Sequence, residues 1–201
     1  MGELMSEQVL TSAESLKDRA RAALGHSNLV LVGLMGVGKS SIGRPVAHQL
    51  GIPFVDTDVE IERVSRMTIT ELFAAYGEVE FRALETRVIT RLLKGGPRVV
   101  STGGGTFIND STRMHVKRGS LSVWLKADLD VLWDRVNKHG ERPLLKSENP
   151  KETLENLMNA RYPIYAEADI TVLSRDVNKD IIVKEVLAAI ADGKTAESKM
   201  R

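Results

Sequence analysis

The chain contains no cysteine, which excludes a disulfide framework and any thiolate metal site. It also lacks a long apolar run. None approaches the about 18 consecutive apolar residues that a membrane-spanning helix needs. Neither sign of charge dominates: 28 Lys and Arg stand against 27 Asp and Glu, a formal net charge of +1. No bulk field therefore favours nucleic acid or an anionic membrane surface. The first 27 residues have no apolar signal core. They carry Glu3, Glu7, Glu14 and Asp18, acids out of place in a transit peptide. A cytoplasmic protein is expected, with no nucleic-acid or membrane partner. Internal repeats and low-complexity blocks are also missing.

What is present suits a packed domain. The chain has 201 residues, of which 42% are hydrophobic, enough for one compact core with or without a short extension. Residues 1–27 read as an N-terminal extension, helical over 12–24. Thr11 and Glu14 fit a capping box there, Leu16, Ala20 and Ala23 fall near one face, and Gly25 is a stop. The extension can pack on the domain or stay mobile. The domain itself spans 28–191, and the small, charged tail 192–201 is expected to fray.

Between 28 and 191, apolar runs of strand length alternate with longer helical patterns. The expected strands are 28–32, 52–55, 98–101, 121–125 and 170–173. The expected helices are 39–50, 59–65, 69–93 with a break at Gly77, 110–117, 129–138, 151–166 and 180–191. A polar, proline-containing stretch, about 138–150, reads as a lid. This alternation predicts the α/β class, with a five-stranded parallel sheet covered by helices on both faces. Ligands on such sheets bind beyond the carboxyl ends of the strands, and nearly every candidate residue below follows a predicted strand.

Gly33-Leu-Met-Gly-Val-Gly-Lys-Ser40 fits G-x-x-x-x-G-K-[ST] between a strand and a helix, the setting that a phosphate-binding loop requires. Backbone N–H groups of Gly36, Val37, Gly38, Lys39, Ser40 and Ser41 would cradle the phosphates of ATP at a helix start. Lys39 would reach the β- and γ-phosphates, and the Ser40 hydroxyl would ligate Mg²⁺. Asp56 and Asp58 follow the second strand. One can hold the metal shell while the other orients a hydroxyl nucleophile; alternatively Asp58 only caps the next helix. Arg82 and Glu85 share a helix face and can pair, and Arg82 can instead grip a carboxylate. Gly103, Gly104 and Gly105 let backbone approach a ligand closely. Arg142 lies in the lid stretch, where it can close over a transferring phosphoryl group. Arg161 is a helix arginine of the kind that most often faces water. The histidines at 26, 48, 115 and 139 have no metal-ligand spacing, and Trp124 and Trp133 read as packing residues.

In order and spacing, GLMGVGKSS, DTD, GEVEFRALE, STGGG, RPLL and ARYPIYAEAD resemble the shikimate kinase family, over roughly 28–191. The resemblance implies a P-loop kinase fold like that of the nucleoside monophosphate kinases, with a mobile lid. It implies transfer of the γ-phosphoryl of ATP to the 3-hydroxyl of shikimate, in chorismate biosynthesis, with one Mg²⁺ and a monomeric enzyme. Asp58 resembles the acid that binds the substrate hydroxyls and acts as base, for which an ordinary low pKa suffices. Arg82 and Arg161 resemble the arginines that bind the shikimate carboxylate, and Gly103–Gly105 the loop against its ring. Asp56 and Ser40 match the metal site, Arg142 the lid arginine, and Arg135 a position flanking adenine. Residues 175–178, after the last strand, match weakly. A gluconate or nucleoside monophosphate kinase on the same fold, and a non-catalytic nucleotide-binding module, are the rival readings. The second could lack the acid and the lid arginine, both of which this chain has.

Overall fold

Strand β1 (Asn28–Val32) is buried at every position, as expected for a strand covered on both faces of a sheet. The computed structural model describes residues 16–138 and 148–193. In it β1 sits at the centre of five parallel strands, with β2 (Phe54–Asp56), β3 (Val99–Ser101), β4 (Ser120–Lys126) and β5 (Ile170–Leu173) in the order β2-β3-β1-β4-β5. The chain leaves β1 for the β2–β3 side, then crosses to β4 on the other. The carboxyl end of β1 is therefore a topological switch point, where neighbouring loops diverge and leave a crevice.

Helix α1 covers 16–24 of the described residues. The others are α2 (Lys39–Leu50), α3 (Thr57–Ser65), α4 (Ile69–Lys94), α5 (Asp110–Gly119), α6 (Leu129–Lys138), α7 (Pro150–Tyr165) and α8 (Lys179–Ala191). Ala20 and Leu24 of α1 are buried in the main core, and Arg19 pairs with Asp192 at the end of α8. This part of the extension packs on the sheet domain. The start of the expected helix before residue 16, most of the lid including Arg142, and the tail from 194 lie outside the described residues. None of the described helices is long and apolar enough to cross a membrane.

Two apolar clusters divide the work. The larger gathers β1, β3, β4 and β5 with faces of α2, α7 and α8. The smaller, centred on Ile61, Leu72, Phe81, Val88 and Leu92, joins α3 to α4. It fixes the two helices that carry Asp58, Arg82 and Glu85. Helix α4 starts with a reciprocal capping box, Thr68 with Glu71, and is kinked at Gly77, the break that the sequence predicts.

Two expectations are corrected. The second strand runs 54–56, not 52–55, because the Ile52 N–H is taken by the Ala47 carbonyl at the end of α2 and Pro53 has no N–H to give. The third helix begins at Thr57, and its cap is Asp56, whose Oδ1 accepts from the Asp58 amide at 3.1 Å. Asp58 is thus released from the capping role that was one of its two readings.

Helix α2 lies so close to the sheet that a Cβ on Gly43 would stand 2.7 Å from the Phe54 ring and 2.8 Å from a Leu31 methyl. Gly43→Ala would gain about 1 kcal/mol of helix propensity but overpack a site where such insertions cost about 1–3 kcal/mol. The expected outcome is a net loss of up to about 2 kcal/mol, read as a lower urea midpoint with an unchanged m-value.

Candidate active site

The loop after β1 is shaped by its glycines before any ligand is considered. Gly38, the residue before α2, has φ 96° and ψ 24°, a left-handed conformation that costs a residue with Cβ about 1 kcal/mol or more. Gly36 also has positive φ, and a Cβ there would meet Val136 of α6 at 2.7 Å. The loop closes on itself: the Lys39 ammonium donates to the carbonyls of Gly33 and Leu34, both at 2.8 Å. Ser40 Oγ donates to Asp56 Oδ2 at 2.5 Å and lies 3.1 Å from Ser101 Oγ. Hydroxyl and carboxylate from two strand-end loops thus meet beside the lysine.

These groups line one cavity of about 560 Å³. Its lining runs from the β1 loop past Asp56, Asp58, Gly103 and Gly104 to Arg135 and the residues after β5. The donors at Ser40 and Asp56 are hard oxygens. They suit Mg²⁺, which takes one or two protein oxygens and completes its shell with water and phosphate. Among the described residues no group of three or more His, Cys, Asp and Glu could hold a metal. His26, His48 and His115 are exposed and line no part of the cavity.

The three glycines after β3 each touch a different charged side chain. A Cβ on Gly103 would be 2.8 Å from Asp58 Oδ1 and 3.2 Å from Glu85 Oε1; on Gly104, 3.6 Å from Arg161 Nη1; on Gly105, 2.5 Å from Arg82 Nη1. At Gly103 and Gly105 the charged groups approach too closely for a Cβ unless they move, whereas at Gly104 the distance is an ordinary contact. The Gly103 amide donates to Thr57 Oγ1 at 3.0 Å. The Gly104 carbonyl accepts from Arg161 Nη1 at 3.3 Å and from the buried Tyr165 hydroxyl. Burial pushes that phenol up to about 12, so it stays a donor. Trp124 is buried beside Tyr162, edge to face at 5.0 Å, a packing residue as expected.

Arg82 and Glu85 form the expected pair, but it is not a surface pair. Glu85 is only 2% exposed, and it accepts from Arg82 Nη1 at 2.9 Å and from Thr106 Oγ1 at 2.6 Å. Arg82 also reaches Glu78. Burial disfavours the charge on Arg82, but the two carboxylates outweigh it and its pKa is raised. Asp58 departs from expectation. Burial, then the neighbouring Asp56 charge, push its carboxyl up to about 6, against the pull of Lys39. A carboxylate titrating there is a stronger proton acceptor than an ordinary aspartate and is still mostly ionised at neutral pH.

The candidates at 36–41, 56, 58, 103 and 104 thus converge on one cavity, which Arg135 also lines, beside the β1 loop. Arg82 and Arg161 stand behind the glycine loop through their contacts with Gly105 and Gly104. Arg142 is not among the described residues. Sequence reasoning matched residues 175–178 only weakly and left out Ser174 and Lys179; Ser174, Arg175, Asp176, Val177 and Lys179 all line the cavity after β5. The strand-end rule that found the other loops points to them as well.

Known proteins give the site its context. A family model described as shikimate kinase matches residues 35–191. A shikimate kinase of Rhizobium leguminosarum bv. trifolii is 76% identical over 188 residues, 94% of this chain and 96% of the relative. One of Rhizobium meliloti is 68% identical over 182 residues, 90% of this chain and 95% of the relative. Among solved structures, a shikimate kinase from Acinetobacter baumannii in complex with shikimate superposes with a TM-score of 0.79 at 33% identity, covering 90% of this chain and 99% of that one. A parallel sheet with a phosphate loop at its switch point, an acid in the same cleft, and matches over nearly the whole chain lead to one assignment: this chain belongs to the shikimate kinase family.

Proposed function

We propose that the cavity holds ATP along the β1 loop and shikimate beside the Gly103–Gly105 loop, with Asp58 between them as proton acceptor. The protein is a shikimate kinase, moving the γ-phosphoryl group of ATP to the 3-hydroxyl of shikimate. The observation that carries the division of labour is the position of Asp58. It lines the same cavity as Lys39 while its carboxylate touches Gly103.

Phosphoryl transfer asks little covalent chemistry of the protein and much positioning and charge neutralisation. Lys39 would exchange its carbonyl partners for phosphate oxygens. Ser40 and Asp56 would hold Mg²⁺, which when bound neutralises charge on the β- and γ-phosphates. The 3-hydroxyl would form its bond to the γ-phosphorus as the bond to the β,γ-bridging oxygen breaks. Its proton would pass to Asp58, and ADP would leave. Arg82 and Arg161 present two cations where a carboxylate could be gripped, and Arg142 from the lid would add a third near the phosphates. Arg135 would border the adenine end.

A coupled ADP-release assay with ATP, Mg²⁺ and shikimate tests the whole reading, beside controls with gluconate, with AMP and with no acceptor. Release that needs shikimate and yields the 3-phosphate is the expected result. Release on another acceptor, or none from folded protein that binds ATP, would discard the arrangement.

Arg82→Ala tests the acceptor side. Loss of charged hydrogen bonds worth about 1.5–3 kcal/mol should raise the KM for shikimate about 10- to 100-fold and leave the KM for ATP within about twofold. It also leaves Glu85 buried without its cation, so the variant should unfold at lower urea. Arg82→Lys keeps the charge and isolates the loss of the fork geometry. An effect on ATP alone would reverse the assignment.

A further inference from the structure

Ser174 follows β5, is 3% exposed, and lines the cavity, yet the reaction described above gives it no task. Its hydroxyl donates to the Val37 carbonyl of the phosphate loop at 2.8 Å. The same oxygen accepts from Arg135 Nη1 at 2.8 Å. One O–H donor and one accepted bond use the hydroxyl as both donor and acceptor. Ser174 is itself anchored, its amide donating to the Lys126 carbonyl of β4 at 2.6 Å. Arg135 reaches Val37 O directly only at 3.3 Å, and its Nη2 holds the Arg175 carbonyl at 2.6 Å. Three segments far apart in sequence, the β1 loop, α6 and the β5 loop, are thus joined at one carbonyl.

That carbonyl belongs to the peptide unit between Val37 and Gly38. In a planar trans peptide C=O and N–H point in opposite directions. Holding Val37 O toward Ser174 therefore directs the Gly38 N–H away from it. Gly38 sits at φ 96°, and a glycine can occupy either sign of φ at little cost. The Gly38 φ by itself offers little resistance to this peptide turning over, which would present an oxygen in place of the N–H donor.

We propose that Ser174 is a positioning residue for the nucleotide: its hydroxyl, oriented by Arg135, locks the Val37–Gly38 peptide with its N–H toward the phosphates of ATP. Preorganised donors bind without the cost of being ordered first. The role rests on the reading of this cleft as the ATP site. It concerns ATP and not the acceptor, since the lock is made on the phosphate loop and touches neither Asp58 nor the Gly103–Gly105 loop.

The test compares wild type, Ser174→Ala and Ser174→Thr in the shikimate-dependent ADP-release assay, with calorimetric binding of ADP as a readout independent of turnover. Ser174→Ala should raise the KM for ATP and weaken ADP binding about three- to tenfold, the worth of one buried hydrogen bond. The KM for shikimate and kcat should stay within about twofold. Ser174→Thr, which keeps the hydroxyl, should bring ATP and ADP back to within about twofold of wild type. A lower melting temperature in Ser174→Ala with unchanged ATP and ADP affinity makes Ser174 a packing residue and overturns the inference. So does a threonine variant as weak as the alanine one, or an equal loss for ATP and shikimate. Wild type that turns over with shikimate separates these failures from failure of the ATP-site reading. Wild type that neither binds ADP nor releases it would overturn that reading and the inference together.

Discussion

Lys39→Met should lower kcat for shikimate-dependent ADP release by about 10³-fold or more, while the protein keeps its helical content and its unfolding midpoint. The expectation follows from where the ammonium is held. It donates to the carbonyls of Gly33 and Leu34 at the rim of the loop, beside the Ser40–Asp56 pair. In the proposed reaction it would exchange these carbonyls for phosphate oxygens. Removing a single preorganised donor from a developing charge commonly costs about 10²–10³ in rate, and here the donor also carries a full positive charge. The loss should fall on kcat more than on the KM for ATP, because charge builds on the transferring group during the reaction. Steady-state kinetics over a matrix of ATP and shikimate concentrations checks this. A decrease of less than about tenfold would mean that Lys39 does not face the transferring phosphoryl group.

Asp58→Asn is expected to do two opposite things at once. Turnover should fall about 10²- to 10⁴-fold, the usual contribution of a positioned base, because an amide accepts no proton. Stability above pH 6 should rise. The Asp58 carboxyl titrates near 6 in the folded protein against an ordinary 3.8, so the fold binds that proton more tightly than the unfolded chain does. The stabilising contribution of the proton is complete below about pH 3.8 and is lost as pH rises through 6. At pH 7.5 the protein therefore carries an ionised, partly buried carboxylate at a cost of about 1–2 kcal/mol after allowance for solvent screening. The asparagine variant avoids that cost. Its advantage in urea unfolding should be full at pH 7.5, about a third as large at pH 4.5 and nearly gone below about pH 3.8. In wild type, kcat/KM should fall about tenfold per pH unit below 6 as the base becomes protonated, and the residual activity of the variant should not follow that slope. A variant no more stable at pH 7.5, with wild-type rates, would remove Asp58 from both roles.

These effects separate two kinds of information in the chain. The phosphate loop is legible because its requirements are local. A buried strand, glycines where the backbone must turn, and a lysine and serine at a helix start are all contained in thirteen consecutive residues, 28–40. The same holds for the strand–helix alternation, which fixes a parallel sheet and puts the active loops at one edge. The family resemblance adds which distant motifs belong together, and Asp56, Asp58, Gly103 and Gly104 line one cavity with the β1 loop.

What stayed out of reach depends on neighbours that are remote in sequence. Arg82 and Glu85 look like an exposed helix pair until Thr106, from another loop, closes over the carboxylate and buries it. Asp58 looks like an ordinary aspartate until burial, and then the neighbouring Asp56 and Glu85 charges, raise its proton affinity. Ser174 carries no motif at all, and its partners Val37 and Arg135 are 137 and 39 residues away. The sequence by itself determined the class of fold, the phosphate loop and the family, because hydrophobic period, turn chemistry and motif spacing act within short stretches of chain. The tertiary structure alone decided strand order, the raised proton affinity of Asp58, the burial of Glu85 and the clasp at Val37, because desolvation and hydrogen-bond geometry are set by atoms that only the folded chain brings together.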